Sequence, residues 1–516
     1  MTARKAKPKP SPTAWRTERA ERACVIIDAE DYFRIARLAM MKAKKRIMLI
    51  GWDFDARIVL VRGDDSDETG DEAAGGNGSD DNGAGDDAPT HVGDLISWLV
   101  ERNPQLEVYL LRWDLGALKS LFRGNTLVTL AKWMRHPRIT VKLDGHHPPG
   151  ASHHQKIVVI DDCFAFCGGI DMTGDRWDTR AHQDDEAGRL HPDGTAYKPW
   201  HDATTALQGP VAAALGEHAR ERWKRAGGGT LKPVRGGSDC WPDELPAQFQ
   251  NVDVAIARSA PKMDDQKPIF EIESLYLAQI ARAKHFIYAE SQYFASRRIA
   301  EAIARRLDEA DGPEIVIINP TAAQGWLEPL AMDTARARLV EALRHRDVHK
   351  RLAVYHPHTR DGEPIYVHAK ILVVDDMILR VGSSNMNNRS MRLDTECDVA
   401  IDAALPANAD SRATIARVRD DLLAEHLGTT ATIVAKRIAE TGSLIATIES
   451  LRYTGRKNGK HRRRTLNPYV VPDLSDVEAW LADNEVLDPE GPEEMFEAFT
   501  QRGLFRRFKA WRGRRK

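Results

Sequence analysis

The stretch His154-Gln155-Lys156-Ile157-Val158-Val159-Ile160-Asp161, with Gly168-Gly169-Ile170-Asp171 behind it, decides how the rest of the chain is read. A second stretch repeats it: His368-Ala369-Lys370-Ile371-Leu372-Val373-Val374-Asp375, followed by Gly382-Ser383-Ser384-Asn385. In each, His and Lys stand two apart, so on a β-strand both point to one face. The four residues after Lys are β-branched or leucine, as a buried strand requires. The glycine turn that follows lets backbone approach a ligand closely. One His-x-Lys pair alone is most often a surface strand; two full copies with Asp and glycine at matching spacing point to a functional site.

Outward from the motifs the chain keeps repeating. Ala43-Lys44, then Ile47-Met48-Leu49-Ile50 and Trp52-Asp53-Phe54, is matched by Ala283-Lys284, then Phe286-Ile287-Tyr288 and Gln292-Tyr293-Phe294. Both read as a helix running into a buried strand. The offset there is 283 − 43 = 240, whereas between the histidines it is 368 − 154 = 214. The difference of 26 is about the length of a segment, Gly63 to Asp87, with ten acidic and no basic residues. Rich in Gly, Asn and Ser, that segment is expected to be a disordered insertion. Its removal brings the halves into register, which favours duplication. Leu106–Leu111 and Ile139–Leu143 pair with Glu314–Ile318 and Leu352–Tyr355 as further strands between helices, so the fold class is α/β with two similar lobes. The expected division is a basic tail at 1–24, a first lobe at 25–224, a linker at 225–248, a second lobe at 249–451 and an extension at 452–516.

Composition excludes several classes. With 516 residues and 42% hydrophobic content the chain can bury a large double core. A net charge of −2 argues against a dedicated nucleic-acid binder, and no nucleic-acid partner is expected. Five cysteines are few and odd in number, so they read as reduced thiols, and Cys163 and Cys167 as core residues. Neither a signal peptide nor an 18-residue apolar run is seen, so a cytoplasmic location is expected.

The motif residues suit phosphoryl transfer without a metal. One histidine attacks phosphorus, a second protonates the leaving alcohol, and two lysines supply charge to the developing oxyanions. No cofactor and no metal ligands are expected; His146-His147, His153 and His356-Pro357-His358 match no zinc spacing and read as loop histidines near the pocket mouth.

At these residues the chain resembles the phospholipase D superfamily, whose signature is His-x-Lys-x4-Asp-x6-Gly-Ser-x-Asn. The second copy matches throughout; the first has Gly169 where Ser is usual and Asp171 where Asn is usual, a variant similar to the eukaryotic-type first motif. Arg176-Trp177-Asp178, Pro199-Trp200-His201-Asp202 and Tyr288 to Phe294 resemble lipid-acting members. The resemblance implies two lobes packed face to face with the site at their interface, completed within a single chain. It implies catalytic roles for His154, Lys156, His368 and Lys370, with Glu396 orienting His154 and Asp202 orienting His368. Asp161 and Asp375 complete the catalytic motifs, and their place at strand ends predicts structural hydrogen bonding rather than base chemistry. Gly168, Gly169, Asp171, Ser383 and Asn385 are the expected substrate-binding residues. The implied activity is a phospholipase D-type hydrolysis or transphosphatidylation of glycerophospholipids through a phosphohistidine, giving phosphatidic acid; a cardiolipin-synthase-like transferase and a metal-independent nuclease are the alternatives. The C-terminal Leu504, Phe505, Phe508 and Trp511, ringed by Arg and Lys, form one helical face and are expected to contact an anionic membrane, placing the protein on its inner face.

Overall fold

The computed structural model describes residues 12–62, 87–114, 129, 132–236, 239–324, 332–452, 456–457, 460–461 and 464–472. The acidic insert up to residue 86 and the C-terminal stretch read as a basic helix therefore lie outside the described residues, as do residues 1–11 of the N-terminal tail.

The first half contributes strands β1 (Arg16–Ile27), β2 (Arg46–Gly51), β3 (Glu107–Trp113), β4 (Ile139–Asp144), β5 (Lys156–Ile160), β6 (Phe164–Gly168), β7 (Trp200–His201) and β8 (Ala203–Gln208). The second half contributes β9 (Phe249–Ala260), β10 (Ile269–Phe270), β11 (Phe286–Glu290), β12 (Glu314–Ile318), β13 (Leu352–His358), β14 (Tyr366–Val367), β15 (Ile371–Val374), β16 (Ile378–Gly382) and β17 (Glu396–Asp402). After it come β18 (Arg456–Lys457), β19 (Lys460–His461) and β20 (Thr465–Pro468). One large mixed sheet runs in the order β20-β13-β12-β11-β15-β16-β17-β9-β1-β8-β6-β5-β2-β3-β4. Read outward from the β1–β9 junction, the two sides follow the same plan. Each has an antiparallel inner part and an outer parallel run, β2-β3-β4 on one side and β11-β12-β13 on the other, where β20 adds an antiparallel edge.

Strand register recurs between the halves at the spacing of the sequence offsets. Ile47 faces Ile160 across β2 and β5, and Ile287 faces Val374 across β11 and β15. These are the same pair moved by the two sequence offsets, 47 + 240 = 287 and 160 + 214 = 374. Because side chains alternate along a strand, β5 divides its run between two layers. Ile157 and Val159 enter a core shared with Ile371, Val373 and Val399 of the other half. Val158 and Ile160 face the opposite way, into a core with the helix Ala29–Met41. In the second half Leu372 and Val374 likewise turn outward, against the helix Glu271–Arg282. The inner faces meet, with β6 touching β16 and β17, so the lobes pack face to face and are also continuous through β1–β9.

Two boundaries differ from expectation. Residues 16–24 belong to β1, at the centre of the sheet, rather than to a tail: β1 pairs with β8 and β9 along most of its length. Residues 465–468, placed in the extension, form a strand on the edge of β13. The linker is packed, since Cys240 and Trp241 are buried in the core of the first half. The second half closes with two helices, Ala431–Thr441 and Leu444–Arg452, separated where Gly442 takes a left-handed φ of 65°. No helix among the described residues is long and apolar enough to cross a membrane.

Candidate active site

Backbone pairing between the halves builds the site. The segment leading into β5 lies parallel to the one leading into β17: Thr395 N–H donates to Ser152 O at 3.0 Å, and His154 N–H donates to Thr395 O at 2.9 Å. Glu396, the next residue, is thereby set beside His154. The mirror arrangement uses β7 and β14, also parallel. His368 N–H donates to His201 O at 2.7 Å, which brings Asp202 beside His368. Both histidines thus stand just before their strands rather than on them. The parallel crossover delivers the carboxylate of one half to the imidazole of the other.

Side-chain geometry follows. His154 Nδ1 is 3.0 Å from both carboxylate oxygens of Glu396, and His368 Nδ1 is 2.6 Å from Asp202 Oδ2. Both carboxylates are fully buried. Ser390 donates to Glu396 Oε1 at 2.7 Å, and Ser383 donates to Glu396 Oε2. With Nδ1 occupied by a carboxylate, each imidazole carries its proton there and keeps Nε2 for chemistry. Lys156 Nζ donates to His154 O at 2.6 Å and lies 3.2 Å from Asp171 Oδ2. Lys370 Nζ donates to His368 O and is 3.4 Å from Gln292 Oε1. Asn385 Nδ2 donates to the same Gln292 oxygen at 3.3 Å.

Electrostatics joins the copies into one site. Burial pushes both His154 and His368 well below the ordinary imidazole range, and Lys156 and Lys370 act on both in the same direction. Arg176 and His154 add to the effect on His368. Burial brings Lys370 down to about 7, against the opposing pull of Asp202. Glu396 is pushed up by burial, with Lys156 and the Ser383 and Ser390 hydroxyls working against it.

Asp161 accepts from the backbone N–H groups of Lys44, Lys45 and Arg46, and Asp375 from those of Lys284, His285 and Phe286. Each carboxylate is spent on pinning a helix-to-strand turn, in keeping with the hydrogen-bonding role expected of it. The glycines serve packing: a Cβ on Gly168 would meet Thr204 Cα at 2.4 Å, and one on Gly169 would meet Asp202 Oδ1 at 2.2 Å. Their place is filled by the neighbouring strand and the carboxylate that holds His368, not left open for a ligand. His153, His356 and His358 are not loop residues at a mouth. His153 is buried and binds Thr395 Oγ1 at 2.7 Å, and the other two lie buried in β13. Sequence reading did not single out Gln292 or Ser390; the 240 offset places Gln292 opposite Trp52, and that pairing was the available signal.

The family description "Phospholipase D" matches residues 39–300, and "Cardiolipin synthase, PLD-like domain" matches 276–418, so each covers one His-x-Lys copy. The chain belongs to the phospholipase D superfamily. Phospholipase D alpha 1 of Nicotiana tabacum is 24% identical over 531 residues, which cover 76% of this chain and 63% of that protein. Phospholipase D alpha 1 of Carica papaya is 25% identical over 398 residues, covering 54% of this chain and 49% of that protein. The chain therefore spans less than two thirds of the length of these relatives. Among solved structures, phosphatidylserine synthase of Haemophilus influenzae Rd KW20 superposes with a TM-score of 0.51 at 14% identity, covering 86% of this chain and 96% of that one. That likeness carries the fold.

Proposed function

We propose that the chain is a phosphodiesterase that transfers a phosphatidyl group through a histidine. The observation that supports this best is that each imidazole is held at Nδ1 by a carboxylate from the opposite half, with Lys156 and Lys370 acting on both rings. His154 attacks, being the more accessible imidazole, with 17% of its side chain exposed against 6% for His368. Its Nε2 bonds to phosphorus while the bond from phosphorus to the head-group oxygen breaks. His368, which gains its proton when the anionic diester raises its pKa, gives that proton to the leaving oxygen. Water or an alcohol then attacks, returns a proton to His368 and breaks the P–N bond.

The phospholipase D alpha relatives favour a glycerophospholipid substrate and phosphatidic acid as the hydrolytic product. The cardiolipin synthase-like match over 276–418 supports a second reading, in which phosphatidylglycerol is the acceptor. Thin-layer analysis of products from mixed phospholipids, with and without ethanol or glycerol, separates the two. Phosphatidic acid, replaced by phosphatidylethanol when ethanol is added, is the expected result. No lipid turnover alongside cleavage of nucleic acid would overturn the lipid reading.

A further inference from the structure

A second constellation of chemistry-bearing side chains lies behind Asp202, and the proposed transfer does not use it. Asp28, His182, His201 and Glu425 are all buried, with at most 1% of any of their side chains exposed. They come from the end of β1, a loop, β7 and the C-terminal end of the helix Arg412–His426. One ligand atom from each lies within 4.8 Å of all the others. Around the ring the separations are 3.3 Å from Asp28 Oδ2 to His182 Nε2, 3.1 Å from His182 Nε2 to Glu425 Oε1, 2.7 Å from Glu425 Oε1 to His201 Nδ1 and 3.2 Å from His201 Nδ1 to Asp28 Oδ1. Tetrahedral zinc, with bonds of about 2.0–2.1 Å, places its ligand atoms about 3.3 Å apart.

The surroundings also fit an ion. Each histidine turns one ring nitrogen inward and has the other held by an outer carboxylate: His182 Nδ1 by Asp178 at 2.9 Å, His201 Nε2 by Glu290 at 2.8 Å. That is the usual outer support of a metal-bound imidazole. Glu290 is itself held by His426 Nε2 at 3.0 Å, and the second oxygen of Glu425 by Arg180 Nε at 2.6 Å. Asp28 Oδ2 and His201 Nδ1 are buried and make no well-aligned hydrogen bond, their close contacts being with the other members of the ring. The carboxylates of Asp28, Asp178, Glu290 and Glu425 outnumber the guanidiniums of Arg180, Arg189 and Arg464 that face them.

We propose that Asp28, His182, His201 and Glu425 bind one divalent first-row transition-metal ion, with zinc the expected occupant. The ion is structural: the donor set is closed and buried, and it clasps Glu425 to the segment that carries Asp202. Because the site is sealed, the ion enters during folding rather than by exchange. The rival is a metal-free network in which the histidines are protonated. Asp28 and Asp178 outweigh the burial of His182 and raise it to about 9.

The test starts from full-length protein made in zinc-supplemented medium and purified without chelator, with its metals measured by mass spectrometry. About one equivalent of zinc or another first-row divalent ion per chain is expected, retained through dialysis and reduced at least about tenfold in His182→Gln. Refolding from guanidinium should recover less native protein with chelator than with zinc. Refolding with Co²⁺ should give the visible band of a tetrahedral ion, a signature that protonated histidines cannot produce. If His182→Gln is insoluble, the wild-type metal content and the cobalt spectrum decide. Less than about a tenth of an equivalent in wild type, or an unchanged content in a soluble His182→Gln, would overturn the assignment in favour of the protonated network.

Discussion

The two motif copies share a backbone and differ in charge. In the second copy Ser383 donates to Glu396, Asn385 to Gln292, and Lys370 has neutral oxygen atoms as its hydrogen-bond partners. In the first copy the serine is Gly169, the asparagine is Asp171, and that carboxylate pairs with Lys156. Gln292 has Trp52 as its counterpart, whose backbone N–H donates to Asp171 Oδ1 at 2.9 Å. The difference teaches that both halves keep the crossover that delivers carboxylate to imidazole, while the side chains beside each lysine differ. On the proposed mechanism a dianionic transition state would meet one lysine paired with Asp171 and another whose partners are neutral, so Lys370 is expected to respond more to substrate than Lys156.

The largest effect should come from the groups the copies have in common. His154→Ala and His368→Ala are each expected to lower turnover by at least about 10²–10⁴-fold with the fold unchanged by circular dichroism. A well-folded variant of either kind with near-normal turnover breaks the shared-site account. Next come the carboxylates. Glu396→Gln and Asp202→Asn should each lower kcat with less effect on KM, because they set the tautomer of an imidazole rather than touch the substrate. Loss of binding alone would show that they act elsewhere. Gly169→Ser gives the first copy the serine of the second, yet its Cβ runs into Asp202. It should lower kcat through His368, and a neutral or improved variant would contradict the packing argument.

The pH profile sharpens the comparison. Lys370 is charged only below its folded value of about 7, so activity of the free enzyme should fall as pH rises through that range. Lys370→Arg should move this limb to higher pH, because a guanidinium stays charged. Because His154 must be neutral to attack and sits below the usual imidazole range, the acid limb should lie below pH 6.5. An unmoved basic limb in Lys370→Arg would assign it to another group. The smallest effect is expected from Asp171→Asn, which makes the copies more alike and frees Lys156. Substrate KM should drop modestly, and a large loss of kcat would mean that Asp171 positions Lys156.

Much of this was legible in sequence because the informative residues are close together. The Ile157–Ile160 and Ile371–Val374 runs marked buried strands, and the offsets of 240 and 214 predicted the register that β2, β5, β11 and β15 adopt. Strand β1 was hidden by its composition. In RTERAERACVII the positions facing the core early in the strand are small alanines between charged residues, and its partner β9 lies more than two hundred residues away. Pairing at that distance is specified by the assembled sheet, not by local pattern. The Glu396 and Asp202 partnerships came from family resemblance. Their physical cause, the parallel crossovers at Thr395 and His201, exists only once both halves are folded. Asp28, His182, His201 and Glu425 carry no spacing signature, since they are scattered along nearly the whole described chain.

The central claim is that one imidazole, His154, carries the phosphatidyl group within a site made by both halves. It is tested most directly by single-turnover reaction with a phospholipid labelled in its phosphatidyl group, quenched in base and mapped by mass spectrometry. The account predicts an acid-labile adduct on the peptide containing His154, present in wild type and absent from His154→Ala. An adduct on any other residue, or turnover at the normal rate with no covalent species, would contradict it.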